Sequence, residues 1–575
     1  MLMSSANQSH SRSVAAGLLV ALSVLATLIP LHFEPQTVFL PEFLATSALF
    51  GLLMVIGGRQ SALSSRVSAP FLAIAVLIAA LAPHLDAGRT LPYFLYLLLA
   101  CAALLIASAT EAEQQGRFGR QIAVVLVATG VGQALCAFLQ LGGYSLGGLV
   151  LRKIYVLAYG NIGQANHYAD LIWLGVAASA FLVATGGLRR WTFGFLAMLL
   201  VFAAALSGSR GVWLYTMAFA VLALRLRISA EKDSHRFAFA LLWIVVCSVL
   251  VQILVAQEAF MSLLHVTAAA DRIGDAGSNG QRLHDWQIAW QAMRSHPWLG
   301  TGPGSFYSLS AEAAIVGPGR PFPMLAEHAH NLPFHLAAEL GLPAAVLFCG
   351  ALATWFVVQL FKAATPLRYF ALCGLSVLGL HSLVEYPLWY TYFLIPAAFF
   401  LGLADYDTRR ALVVGLPGSF VKIASVVGWI CLAWILHDWL TVTHAQRIWA
   451  EEARATPEQM RVAIRRELAR VPDFSLFGPE ARNIEMRTWT PERDTADHMA
   501  ALCDARWRRL PDWTVMINCA DAYAASLQDS KLDQIMSALC RGFPRYHGLL
   551  RDWLETSPHL GGLDPTSRAC LAEEN

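Results

Sequence analysis

Long apolar runs recur through this chain, and they limit its fold more than any other feature. A helix needs roughly 20 residues to cross a ~30 Å hydrocarbon core, so apolar runs of about 18 or more read as membrane spans. Runs of this kind fall at 14–31, 38–57, 69–83, 91–109, 121–141, 167–186, 191–207, 211–228, 236–256, 333–361, 368–384, 388–404 and 420–440, about thirteen in all. With 57% of 575 residues hydrophobic, only 14% charged and a mean hydropathy of +0.52, the class predicted is an all-α polytopic membrane protein. The first run, Val14 to Leu31, has the look of a signal peptide. It is followed by "LHFEPQTV" rather than a small-residue cleavage site, so it reads as a retained helix.

Lys and Arg in the short loops set the orientation, because they stay on the cytoplasmic side. Alternate loops contain Arg59 and Arg66; Arg117 and Arg120; Arg189 and Arg190; Arg225, Arg227, Lys232 and Arg236; Lys362 and Arg368; and Arg409 and Arg410. The loops between them are poor in both. The N-terminus is then expected in the cytoplasm and, after an odd number of spans, the C-terminus outside. Two large polar segments fall on the outer side. One is a loop over about 257–332, and the other is a tail from Thr443 to Asn575. In the tail, "TPEQMRVAIRREL" and "TPERDTADHMAALCDARW" each open with Thr, Pro and an acid. That combination is a helix cap, a proline in the first turn and a negative charge near the positive end of the dipole. The tail is therefore expected to be helical.

The cysteines divide along the same line. Cys101, Cys136, Cys247, Cys349, Cys373 and Cys431 lie in apolar runs and read as small core hydrophobes. Cys503, Cys519, Cys540 and Cys570 lie in the outer tail, where an oxidising compartment permits one or two disulfides in any of three connectivities. No CxxC spacing favours zinc there. A net charge of +2 and a pI near 8.0 give no basic footprint for nucleic acid. GxxxxGK and HExxH are absent, so nucleotide-driven transport and zinc-dependent proteolysis lack their usual marks.

What remains is a set of polar groups at the outer ends of the spans. Ionisable groups there are costly, and functional by default. Gln164, Asn166 and His167 lie in "YGNIGQANHYADL". Arg210 interrupts an apolar region in "LSGSRGVWL". Arg282 lies in "NGQRLHDW" of the loop, with Asp285 as its available partner. Glu327, His328, His330 and Asn331 open "EHAHNLPFHLAAELG". His381, Glu385 and Tyr386 lie in "GLHSLVEYPLWYTY". The bland readings are a polar helix cap for the histidines, a snorkelling Arg210, and interfacial anchoring for Glu385, Tyr386 and the aromatics around Trp389. A metal held by Glu327, His328 and His330 lacks a rigidly spaced third ligand. "DYD" at Asp405 to Asp407 imitates a sugar-nucleotide motif, but beside Arg409 and Arg410 it reads as a solvated cytoplasmic loop.

His330-Asn331, nine residues and Gly341 resemble the signature of the O-antigen ligase superfamily. "RLHDWQIAWQAMRSHPWLGTGPGSF" is similar to the same group. Together with "GNIGQANHYA", "VEYPLWY" and a helical C-terminal segment, the chain most resembles the PglL-type protein O-oligosaccharyltransferases over nearly its whole length. Ala344 departs from the Gly, Thr or Tyr usual at that position in lipopolysaccharide ligases.

The resemblance implies a membrane catalytic domain over 1–442, a periplasmic helical domain over 443–575, and a place in the bacterial inner membrane. It implies transfer of a glycan from undecaprenyl pyrophosphate to a Ser or Thr hydroxyl of an acceptor protein, pilins included, with neither metal nor cofactor. His330 would be the general base, suited by the ordinary imidazole pKa of about 6.5. Arg210 and Arg282 would hold the pyrophosphate, since a guanidinium fork fits phosphate bidentately. Gln164, Asn166, His167, His328, Asn331, Glu385 and Tyr386 would bind or orient the substrates. Two other functions compete. One is O-antigen ligation or polymerisation by the same chemistry. The other is transport of the lipid-linked glycan, which would place polar groups near the bilayer midplane and match the two halves of the chain.

Overall fold

In the computed structural model the described residues are 15–560, less 35, 57–60, 82–86, 109–111, 155, 229–230, 270–271, 273–275, 317–324, 406–412, 451–456, 491–492, 508–511, 544–546 and 558. They are helical apart from one short antiparallel ladder, in which β1 (Ser61–Ser64) pairs with β2 (Val413–Leu416). The helices of the apolar part are α1 (Ala15–Leu28), α2 (Phe39–Ile56), α3 (Ser65–Leu81), α4 (Ala87–Ser108), α5 (Ala112–Leu141), α6 (Ala165–Ala184), α7 (Arg190–Ala205), α8 (Gly211–Arg227) and α9 (Lys232–Val255). The polar loop contributes α10 (Glu258–Leu264), α11 (Ala276–Ser295) and α12 (Phe306–Val316). Then come α13 (Leu332–Leu340), α14 (Leu342–Leu360), α15 (Pro366–His381), α16 (Thr391–Ala404) and α17 (Gly418–Ala450). Among the described residues six helices are by themselves long and apolar enough to cross a membrane, and five more apolar helices are shorter. Multiple apolar helices of this kind make a multi-pass membrane protein.

One expected span is not a single helix. The run 333–361 breaks at Gly341, so α13 is a short element set against the long α14. The reason is a backbone crossing. Gly341 has φ +86°, and a Cβ there would stand 2.2 Å from the Trp298 carbonyl oxygen; the facing Gly300 is equally tight, with φ +67°. The loop after α11 then wraps the end of α13. Thr301 N–H donates to Ala338 O at 2.9 Å and Gly302 N–H to Glu339 O at 2.9 Å, while the Glu339 carboxylate accepts from Gly304 and Phe306 N–H at 2.9 Å each. Replacing Gly341 by Ala combines a disfavoured φ with a clash, each costing on the order of 1–3 kcal/mol. We expect a clear fall in the melting temperature of the detergent-solubilised Gly341→Ala protein. An unchanged melting temperature would mean that the crossing is not maintained.

The central element is α6, surrounded by α5, α7, α9 and α15, with 17 of its 20 residues buried. Its core includes Trp173 packed edge-on against Tyr215 and Phe219 of α8. Outward-facing Leu, Val, Phe and Trp side chains on α8, α9 and α17 leave an apolar exterior, as a lipid-solvated protein requires. Cys431 is among the outward-facing residues, unlike the other apolar-run cysteines, which are wholly or partly buried. Asp405 is not solvated: it is buried and accepts hydrogen bonds from Trp355 Nε1 at 2.9 Å and Gln359 Nε2 at 3.1 Å. Asp407, Arg409 and Arg410 lie outside the described residues.

The tail is helical as expected: α18 (Pro457–Leu468), α19 (Gly478–Thr488), α20 (Arg493–Arg506), α21 (Trp513–Ala525), α22 (Asp529–Gly542) and α23 (His547–Thr556). The capping residues expected at Thr456, Pro491 and Glu492 lie outside the described residues. Cys503 and Cys519 form a disulfide between α20 and α21, and Cys540 is disulfide-bonded as well; Cys570 lies outside the described residues. The first tail helices are joined to the membrane part through aromatic packing. Phe39 stacks on Trp439 at 4.5 Å and meets Phe477 edge-on at 5.6 Å. At its far end, α22 touches α12 of the polar loop.

Candidate active site

The ends of α6, α8, α11 and α15 meet around a cavity of about 570 Å³. Its walls carry Asn166, Arg210, Arg272, Arg282, His381 and Glu385. Three guanidinium groups thus gather around one space, with the Glu385 carboxylate among them.

Each arginine is held by local structure. The turn between α7 and α8 is folded over Ser207 and Gly208, the latter at φ +59°. From it Arg210 donates to the Arg272 carbonyl at 3.2 Å, and Arg272 donates back to the Gly208 carbonyl at 3.1 Å. The two arginines brace each other's backbone. Arg282, on α11, forms an ion pair with Glu385. Asn166 Nδ2 donates to the same carboxylate oxygen at 3.3 Å. Arg282 thus pairs with Glu385 and not with Asp285, its possible partner in the sequence. Asp285 lies one turn further along α11 and is fully buried, and its carboxylate binds His330 Nδ1 at 3.2 Å and accepts from Gln281 at 3.0 Å.

His330 therefore stands between two carboxylates, with Nδ1 on Asp285 and Nε2 3.7 Å from Glu385. Its backbone is left-handed, φ +51°, a conformation unusual outside glycine that persists only where the surroundings impose it. They do so through Asn331, which caps α13 by accepting from Phe334 N–H at 3.0 Å and ties the turn to Leu383 O at 3.0 Å. Leu332 N–H donates to Ser382 O at 2.8 Å. The histidine is presented by two segments that are clamped together. A buried carboxylate on Nδ1 fixes the tautomer with its proton there and leaves Nε2 basic.

His328 does something else. Its ring packs 4.4 Å from Tyr386, 4.9 Å from Trp389 and 5.2 Å from His335. Burial, with the charges of His335 and His330 adding to it, holds it well below the ordinary histidine pKa, so it is neutral at pH 7. Tyr386 flanks His330 at 5.1 Å, and burial pushes its hydroxyl up to about 12. Trp389 belongs to this aromatic cluster rather than to an outward belt. Glu327 is exposed, and its charge helps push the Tyr386 hydroxyl up. Among the described residues no three His, Cys, Asp or Glu side chains are grouped to hold a metal.

Gln164 caps α6, its side chain accepting from His167 N–H at 2.6 Å. His167 is buried against Tyr390 at 4.6 Å and Phe393 at 5.3 Å. Neither lines the cavity. Sequence reasoning offered Asp285 only as a partner for Arg282 and missed its pairing with His330, for which the sequence carries no local signal. It also missed Arg272, which stands alone in a polar loop and carries no local signal either.

The family described as O-Antigen ligase matches residues 193–349, which hold Arg210, Arg272, Arg282, Asp285 and His330. A family described as virulence factor membrane-bound polymerase, C-terminal, matches 369–553, and one described as protein glycosylation ligase matches 158–183. A "General O-oligosaccharyltransferase" of Acinetobacter baylyi is 26% identical over 284 residues, 49% of this chain and 49% of that protein. A "ComP-specific O-oligosaccharyltransferase" of the same organism is 25% identical over 250 residues, 42% and 43% of the two chains. The chain thus spans about half the length, or less, of the curated relatives it matches. Over the matched segments the chain is similar to the O-antigen ligase family and to protein O-oligosaccharyltransferases.

Proposed function

We propose that this protein transfers a glycan en bloc from undecaprenyl pyrophosphate to Ser or Thr hydroxyls of periplasmic or pilin-type proteins, at the outer face of the bacterial inner membrane. The observation that carries this reading is that His330, held by Asp285, stands 3.7 Å from Glu385, which lines a cavity bearing three guanidinium groups. A hydroxyl is a weak nucleophile and needs a base at the moment of attack; His330 Nε2 takes its proton while Asp285 stabilises the imidazolium that forms. A lipid pyrophosphate leaves well once its charge is held, and Arg210, Arg272 and Arg282 hold it. Glu385 keeps Arg282 and Asn166 aimed into the cavity. Since that carboxylate is already bound to a guanidinium, it is a poor nucleophile, which favours direct displacement with inversion over a glycosyl-enzyme intermediate. His328, Tyr386 and Trp389 form an aromatic wall on the other side of His330, suited to a sugar or peptide face.

The domain assignment belongs to the same reading. Residues 1–442 carry the chemistry, with a cytoplasmic N-terminus, and the periplasmic segment 443–575 helps choose the acceptor. The contact of α22 with α12 favours this, because α12 begins at Phe306, whose N–H is bound by Glu339 beside the site. Exchanging the tail for that of a related enzyme with a different acceptor range should move acceptor choice with the tail. A folded, active chimera that modifies the original acceptors would remove that role.

The second reading, polymerisation of the glycan, is favoured by the polymerase match over 369–553. One assay separates the two. Membranes containing the protein are given total cellular lipid-linked glycan and a purified acceptor protein. Glycan appearing on the acceptor supports protein glycosylation, whereas lengthened lipid-linked glycan with an unmodified acceptor supports polymerisation.

A further inference from the structure

The mechanism above leaves one buried charged cluster unused. His381, the last residue of α15, places Nδ1 against Asp170 of α6, and Tyr215 of α8 donates its hydroxyl to the second oxygen of Asp170 at 2.6 Å. The side chains of His381 and Asp170 are 3% and 0% exposed. A carboxylate so far from water requires a counter-charge. The titratable groups facing it are His381, Tyr215 and Glu385, and of these only His381 can carry a positive charge. His167 of α6 stands beside His381 at 6.1 Å between rings. His381 also lines the cavity, while Asp170 does not. Because Nδ1 is taken by Asp170, Nε2 is the nitrogen left for the cavity.

We propose that His381 is a further diphosphate-holding residue: an imidazolium that Asp170 keeps charged and Tyr215 keeps aligned, donating Nε2–H to the lipid diphosphate beside Arg210, Arg272 and Arg282. This rests on the reading of the cavity as a diphosphate site. A charge-assisted donor with one fixed direction adds to the three arginines, since its own position is set by the packing of three helices. Asp170 is then a positioning residue, because it acts only through His381.

The test uses the full chain in nanodiscs and undecaprenyl pyrophosphate without glycan as the probe, with the dissociation constant measured on monodisperse protein of wild-type melting temperature. Arg210→Ala serves as the reference for the cavity. His381→Gln removes the charge. Asp170→Asn keeps size and can still bond to both neighbours, but in either tautomer it leaves His381 neutral. Both variants should weaken probe binding about tenfold or more, the worth of one charge-assisted hydrogen bond, and Tyr215→Phe should weaken it less. In transfer assays His381→Gln should raise the KM for donor more than it lowers kcat. If His381→Gln binds within twofold of wild type while Arg210→Ala binds weakly, the role of His381 is overturned and the cavity reading stands. If wild type does not bind the probe, or Arg210→Ala binds it equally well, both are overturned. Should His381→Gln not be recovered folded, Asp170→Asn decides by the same criterion.

Discussion

Replacing His330 by Ala is expected to lower glycan transfer by about 10²–10⁴-fold while the protein still inserts and accumulates, because the substitution removes the proposed general base. The side chain contributes little packing of its own, being flanked by Tyr386 and bonded only through its ring nitrogens. Ala also relieves none of the backbone constraint, since Asn331 and Leu332 continue to clamp the turn to Ser382 and Leu383. Asp285→Asn should lose activity as well, through the wrong tautomer rather than a missing base. Its fully buried position makes Asn, not Ala, the informative change, because an isosteric amide leaves no cavity. Single-turnover transfer measured at neutral pH checks both. Near-normal transfer by His330→Ala would remove the histidine from the chemistry.

The second large effect is expected at Arg282. Removing a charge-stabilising donor from a site of this kind costs about 10²–10³-fold in kcat. Arg282→Ala also leaves Glu385 without its ion-pair partner at the cavity wall, so its effect mixes catalysis with an unpaired carboxylate. Arg282→Lys is the sharper probe. It keeps the charge and loses the fork that spans carboxylate and phosphate together, and activity should still fall substantially. If Arg282→Lys retains full kcat and KM, a point charge is sufficient there. If Arg282→Ala is rescued by Glu385→Gln, the arginine serves mainly to neutralise its neighbour.

Much of this was legible in the sequence, for physical reasons that differ by feature. Apolar runs report helices directly because lipid tolerates little else, and each expected run corresponds to helix in the structure. His330, Asn331 and Gly341 were readable through a motif. Their geometry was not: the break of the 333–361 run comes from Gly300, forty-one positions away, crossing Gly341. The pairing of Asp285 with His330 joins a loop helix to a turn, and hydropathy carries no trace of such a contact. Asp405 misled because its neighbours in sequence are charged, while Trp355 and Gln359, which bind it, lie on another helix. Local pattern identified the helices and the polar groups at their ends. Partners across elements appeared only in the fold.

The most direct test of the account is reconstitution from purified parts. The protein in detergent or nanodiscs is combined with a purified undecaprenyl-pyrophosphate-linked glycan and a purified acceptor protein, with EDTA present and no nucleotide. Intact-mass measurement of the acceptor is followed alongside release of undecaprenyl pyrophosphate. The account predicts one intact glycan added per modified Ser or Thr, matched mole for mole by released undecaprenyl pyrophosphate, and neither product with His330→Ala. An acceptor of unchanged mass while the lipid-linked glycan lengthens, or transfer that stops with EDTA and returns with a divalent cation, would contradict it.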